Sequence, residues 1–588
     1  MTRSRSSRPR ALLAAVLAAA ASGACGPTAE YDTVIRGGTI YDGSGDAPYV
    51  GDLAIEGDSI VAVGDVGRAV GRTEIDASGM AVSPGFINML SWATESLIED
   101  GLGQSDIRQG VTLEVFGEGW SMGPLSEAMK VEERESQGDI RYPIEWTTLG
   151  EYLEWLVGRG VAPNVASFVG ATTVRIHVLG YEDRAPTEAE LERMRELVRE
   201  AMLEGALGVG SSLIYAPAFY AETDELIALA EVAGEHGGMY ISHIRGEGSG
   251  LLKNVEELIT IAREADIPSE IYHLKASGRD NWDRLKDVIR RVERARDEGL
   301  RITADMYTYN ASSTGLNAVM PPWVQEGGFD AWVERLQDPG IRDRVKAEMN
   351  DPAGEWDNTW LSAGSPDNIL LTGFREDSLR YLTGRTLADV ARMRETGAEE
   401  TAMDLVIQDG SRVQAVFFTM SEENIRRKIA VPWVSFCSDA GAYAADGVFL
   451  NSQPHPRGYG TFARLLGMYV RDERIIPLEE AVRRLTSFPA SNLGIRDRGS
   501  LRPGHYADVV VFDPETIADR ATFEKPHQYA VGVEYVFVNG EAVILNGGPT
   551  GAKPGRVVRG PGWTGWNQTQ SSPSALASAA SRSRSSYR

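Results

Sequence analysis

The chain predicts an α/β fold: a (β/α)8 TIM-like barrel with a small β-sandwich domain built from both chain ends. Three observations carry this. Eight short apolar runs alternate with amphipathic helical stretches through the middle of the chain, the count that a closed parallel barrel requires. The two ends have another texture, short strands punctuated by Gly and Asp, which is an all-β pattern. At 588 residues the chain is too long for one simple core, so a large domain with a smaller companion is the default.

The first 25 residues stand apart. Arg3, Arg5, Arg8 and Arg10 make a basic start, and Ala11 to Ala21 form an apolar stretch too brief to span a bilayer. Ser22, Gly23 and Ala24 then lead to Cys25. This reads as an export signal, so the expected location is exported, in a bacterial periplasm or envelope. Acylation of Cys25, which would make it a lipid anchor, and ordinary cleavage near this point are the two alternatives. Cys437 is the only other cysteine, so no internal disulfide is expected. The far end, 565–588, is rich in Ser, Ala and Arg and is expected to be disordered.

Residues 31–84 read as strands broken by turns, and the same texture returns within 495–560, in GHYADVVVFDPETI and VEYVFVNGEAVI. Between them, over 85–494, the strand candidates are Phe86 to Leu90, Thr112 to Glu118, Val165 to Gly170, Ala206 to Ser211, Met239 to His243, Glu270 to His273, Ile302 to Tyr307 and Trp433 to Ser438. One helix is well marked. Thr187 with Glu190 forms a capping box, and Leu191, Met194, Leu197, Val198 and Met202 line one face. The stretch from about 315 to 430 exceeds a single crossover, so a helical lid or subdomain is expected between runs seven and eight.

Composition is ordinary for a globular chain, with 42% apolar and 24% charged residues. The net charge of −25 argues against a nucleic-acid partner, which needs a basic face. It gives no reason to expect adhesion to anionic lipid. Oligomeric state is not legible. The chemistry concentrates in few residues. His243 and His273 stand thirty residues apart, each ending a short β-branched run, and Asp439 follows the run VPWVSFCSDAG. In a barrel such strand ends converge on one mouth. Two imidazoles and an aspartate there are what a hydrolytic metal site needs.

At these residues the chain resembles a known family. The opening TVIRGGTIYDGSG, the SPGFIN of the first barrel run and the closing GHYADVVVFDP are similar to the amidohydrolase superfamily. GALGVGSSLIYAPAFYAETDEL, YISHIRGEG, HLKASGRDNW, ADMYTYNASST and HPRGYGTFARLLG resemble its D-aminoacylase (N-acyl-D-amino-acid deacylase) branch. The resemblance spans about residues 31–550 and implies a barrel that holds zinc and acts on a small N-acyl amino acid. It puts His243 and His273 on the family's metal ligands and Asp439 on its catalytic aspartate. Lys275, Tyr307, Ser313 and Arg457 fall on positions that grip the substrate carboxylate.

The departures matter as much. The superfamily usually carries a His-x-His pair after the first strand, where GFINMLSWA has Leu90 and Trp92, and the branch usually carries a cysteine ligand after the second, where FGEGWSMGP has Glu118 and Gly119. The first of only seven histidines is His177, so no neighbour rescues the pair. One zinc per chain is therefore expected, with Glu118 at the predicted mouth as the third ligand. Lys275 could instead be carbamylated to bridge two metals, but a point charge for the carboxylate suits a single-metal site better. Trp92 and Trp120 are candidate acyl-pocket residues, and Arg245 and His455 are mouth residues without a role.

The expected reaction is hydrolysis of an N-acyl-D-amino acid, with Asp439 serving as base and then acid. The alternatives are a related hydrolase of dipeptides or cyclic amides, a non-catalytic binding protein on this scaffold, and a structural envelope lipoprotein.

Overall fold

The structure, a computed structural model, describes residues 29–565. The expected export signal with its Cys25, and the tail from 566 onward, lie outside the described residues. Among those described, no helix is long and apolar enough to cross a membrane.

Strands from near both ends of the described residues, Glu30–Ile40 to Ala81–Pro84 and Val509–Phe512 to Gly548–Pro549, meet in one nine-stranded sheet. The seam is antiparallel: Ala81–Pro84 pairs with Val509–Phe512, with Val82 opposite Val511. The sheet folds over on itself, because Ser59 of Ser59–Gly64 bridges Tyr506 just ahead of Val509–Phe512. Alternating residues such as Ile35, Leu53, Ile55, Val509 and Val511 point into the core so enclosed. The two expected layers are thus continuous by hydrogen bonding.

The barrel runs form two parallel sheets. Phe86–Asn88, Val111–Phe116 and Asn164–Ser167 make one; Val169–Gly170, Gly208–Ser212, Met239–His243, Ser269–Ile271 and Ile302–Ala304 make the other. Phe168 divides the third run between the sheets, yet its N–H still donates to Phe116 O at 2.8 Å. The eighth run differs from expectation, since Trp433 to Ser438 is no regular strand. Its hydrogen bonds are shared between two neighbours, too sparsely for a ladder on either. Ser435 N–H donates to Ala304 O at 2.8 Å and Asp439 N–H to Leu90 O at 2.9 Å, which closes the ring between the seventh and first runs. The marked helix is Glu188–Leu203, with the Thr187–Glu190 capping box formed and Met194, Leu197, Val198 and Met202 buried.

The segment between runs seven and eight corrects another expectation. It is not only helical. Ser312–Gly315, Gln414–Phe417 and Ile369–Gly373 form an antiparallel three-stranded sheet, in that order. Helices Pro339–Met349, Leu387–Arg394 and Ala398–Asp409 belong to the same segment, and Leu316, Met349, Leu371, Leu405 and Phe417 share a core separate from the barrel's. Strands of four or five residues are too short for their periodicity to separate them from helix.

A buried polar cluster ties the β-domain to the barrel. Asp508 accepts from the Arg498 guanidinium and, at 2.8 Å, from Asn539 N–H. Asn539 in turn donates to Asn164 Oδ1 of the third barrel run at 2.8 Å. Asp508→Asn would leave the Arg498 charge buried without its counter-ion, so a loss of about 3–5 kcal/mol is expected. Chemical denaturation measures it, and a loss below about 1 kcal/mol would show the pair to be dispensable.

Candidate metal centre

The barrel mouth gathers the predicted residues around one cavity of about 400 Å³. His243 is the last residue of Met239–His243, His273 follows Ser269–Ile271 by two residues, and Glu118 follows Val111–Phe116 by two. These exits point three side chains at one spot. Glu118 Oε1 lies 2.9 Å from His243 Nδ1 and 2.9 Å from His273 Nε2. The three buried residues offer ligand atoms all within 4.8 Å of one another. Two imidazoles and a carboxylate, leaving positions open, suit catalytic zinc. Burial pushes the Glu118 carboxyl up, but the charges and hydrogen bonds of His273 and His243 outweigh it and hold it well below the usual range. Burial and the Lys275 charge lower His273, and the charges of Glu118 and Asp439 with the Glu118 hydrogen bond together outweigh them, pushing it up to about 9. A cation held by these three residues would take the place of a proton shared among them.

The backbone at two of these positions is strained. His273 and Asp439 have φ of 36° and 49°, the left-handed region that non-glycine residues rarely adopt. Such strain costs about 1–3 kcal/mol per residue and gathers at functional sites. Each is held in place: Asp305 Oδ1 accepts His273 N–H at 2.6 Å, and Leu90 O accepts Asp439 N–H.

Asp439 is buried beside the donor set. Its Oδ2 lies 2.7 Å from Arg457 Nη1, and its Oδ1 accepts from Trp92 Nε1–H at 3.2 Å. Burial pushes its carboxyl up, against the opposing charges of Arg457 and His273. Arg457 opens the helix Arg457–Arg464 and sits 4.6 Å over the Tyr307 ring. With Nη1 committed to that ion pair, Arg457 Nε and Tyr307 OH lack hydrogen-bond partners among the described residues. Orphaned buried donors are rare and call for an explanation. Two in one cavity describe the outline of an acceptor.

Two of the other predicted grips are committed elsewhere. Ser313 lines the cavity, but its hydroxyl donates to Ala415 O at 3.1 Å across the inserted sheet. Lys275 Nζ donates to Glu247 Oε1 at 2.6 Å and lies 2.7 Å from His273 Nδ1, so its charge is already paired. His455 holds Ala311 O and Arg457 N–H, and Arg245 holds Glu257, Phe219 O and Ala221 O; both are structural. Trp120 packs against the main core.

Glu247 was missed by the sequence reading. It stands 3.3 Å from His273 Nδ1 and 3.8 Å from His243 Nε2. Burial opposes its charge, and Lys275 and His243 hold its carboxyl well below the usual range. Its signal was an acid set between glycines four residues past a strand-end histidine, in HIRGEG. Asp357, from the inserted segment, accepts the N–H groups of Glu247 and Gly248 at 3.1 Å each. Nothing local in the sequence marks it.

The amidohydrolase family profile matches residues 111–544. A D-aminoacylase of Alcaligenes xylosoxydans xylosoxydans is 34% identical over 532 residues, covering 90% of this chain and 97% of that protein. An N-acyl-D-glutamate deacylase of the same organism is 30% identical over 530 residues, covering 90% and 96%. The crystal structure of the N-acyl-D-glutamate deacylase of Bordetella bronchiseptica, complexed with zinc and a phosphonate mimic of the tetrahedral intermediate, matches with a TM-score of 0.74 at 31% identity, covering 90% of this chain and 100% of that one.

Proposed function

This chain belongs to the amidohydrolase family and is a metal-dependent hydrolase of carbon–nitrogen bonds other than peptide bonds, and on that premise we propose that it cleaves an N-acyl-D-amino acid into a D-amino acid and a carboxylic acid. The centre uses one zinc ion, held by Glu118, His243 and His273, with Asp439 as acid and base. The observation that carries this reading is the pairing, in one cavity, of that donor set with the unsatisfied donors of Tyr307 and Arg457. The relatives that act on N-acyl-D-amino acids and the zinc in one of them support it.

When bound, the cation supplies Lewis acidity to the amide carbonyl and to a water molecule. Asp439 accepts the proton of the attacking water and returns it to the leaving nitrogen, as one buried carboxyl close to both can do. Arg457 and Tyr307 receive the substrate carboxylate, the guanidinium through its planar fork. Lys275 contributes a remaining N–H, and Ser313 joins only by turning its hydroxyl away from Ala415 O. Together they convert binding into alignment of the amide. Ser313, Thr314, Asp357 and Arg412 of the inserted segment line the same cavity.

Zinc-loaded protein assayed on matched N-acetyl-D- and N-acetyl-L-amino acids tests the reading. Release of D-amino acids alone is expected; hydrolysis confined to dipeptides or cyclic amides would overturn it. Tyr307→Phe sharpens the test, because it removes only the orphaned hydroxyl. KM is expected to rise about 10–100-fold, the strength of a hydrogen bond to a charged group, with kcat nearly unchanged. Stability of the unliganded protein should not fall, since that hydroxyl has no partner to lose. A variant with wild-type KM would remove Tyr307 from the carboxylate grip.

A further inference from the structure

Trp92 stands between the two buried carboxylates of the centre. Its single indole N–H donates to Glu118 Oε2 at 3.0 Å and to Asp439 Oδ1 at 3.2 Å. The other oxygen of each acid is engaged elsewhere, Glu118 Oε1 with the two imidazoles and Asp439 Oδ2 with Arg457. Core packing does not account for the ring's placement, because Trp92 is 40% exposed. What orients it is this shared N–H and the backbone N–H that donates to Ala440 O at 2.9 Å.

Two carboxylates brought this close repel one another, and a common remedy is a cation between them. In two-metal hydrolytic sites, ions about 3.5–4 Å apart occupy that place. An indole nitrogen carries a hydrogen and no free lone pair, so it donates but does not ligate. Filling the gap with it satisfies both acids and leaves no ligand for a second ion.

We propose that Trp92 is a positioning residue standing in for a second cation: its N–H holds Glu118 and Asp439 in register and restricts the centre to one metal. Glu118 Oε1 is thereby left to the single cation, and Asp439 is held from both sides, by Trp92 and Arg457, facing the reacting water. The inference rests on the metal-hydrolase reading and adds that the ion count is set by an indole.

The test is a zinc titration of metal-free full-length protein, wild type beside Trp92→Phe and Trp92→His, with bound zinc counted by elemental analysis. Circular dichroism checks that each variant is folded. Wild type is expected to saturate at one zinc per chain and Trp92→His, which trades the donor for a ligand, at two. Trp92→Phe should keep one zinc while kcat on the best N-acetyl-D-amino acid falls about 10–100-fold, as for other residues that orient a metal's ligands, and KM changes less than about threefold. Two zinc ions in wild type, or a single one in folded Trp92→His, would overturn the restriction. Wild-type kcat in Trp92→Phe would overturn the positioning role. A wild type that binds no zinc would overturn the metal reading itself, and this inference with it.

Discussion

Asp439→Asn is expected to lower kcat by about 10²–10⁴-fold, the range that general acid–base groups contribute, while substrate affinity stays within about threefold. The substitution keeps the side chain's shape, although it leaves the buried Arg457 guanidinium without its counter-ion and lowers stability accordingly. Asn tolerates the left-handed backbone that Asp439 adopts at φ 49°, one of the few side chains to do so readily. It keeps an oxygen for the Trp92 N–H. What it loses is the capacity to take a proton from water and return it to the leaving nitrogen. Arg457 also loses its counter-charge, which leaves its fork, if anything, freer for the substrate carboxylate. Single-turnover kinetics with direct measurement of substrate binding separates the two effects. Turnover near wild type would strike Asp439 from the mechanism.

Glu118→Ala is expected to strip the centre of its metal. Among the described residues it is the carboxylate that faces both imidazoles at 2.9 Å, and without it two imidazole nitrogens remain at that spot, too few for a catalytic zinc site. Affinity should weaken by more than about 100-fold, since changes to outer partners of metal ligands alone reach 10–100-fold. Zinc counted after dialysis, and activity restored only at high added zinc, would bear this out. Full occupancy in the variant would show that the third ligand lies elsewhere. Glu118→Gln separates charge from shape: it keeps an oxygen for Trp92 and loses a charge that, with Asp439, raises His273.

Much of this centre was legible before folding, for physical reasons. Residues that end strands in a parallel barrel gather at one mouth, which together with the family resemblance of YISHIRGEG and HLKASGRDNW is why His243, His273 and Asp439 were singled out. Glu118 was proposed from the same geometry, with the departure from the usual cysteine drawing attention to it, and it lies with the two histidines. Lys275 was placed correctly in the cavity, but its partner was not foreseen, because the 2.6 Å contact with Glu247 joins two strands' exits. Arg457 and Tyr307 were foreseen as grips; that their buried donors are unsatisfied is visible only in three dimensions. The inserted sheet went unread because four-residue strands carry too little pattern.

By itself the amino-acid sequence determined the architecture and the identity of the chemical groups. Strand and helix periodicity, turn residues and the Thr187–Glu190 cap are local properties, set by sterics and hydrogen bonding within a few residues. The tertiary structure alone decided which groups answer one another. Asp357 reaches Glu247 across 110 positions and Trp92 reaches Asp439 across 347, separations over which no local pattern carries information. Those long-range contacts join an indole, two carboxylates and two imidazoles into one centre, because only chain closure brings the ends of distant strands to the same mouth.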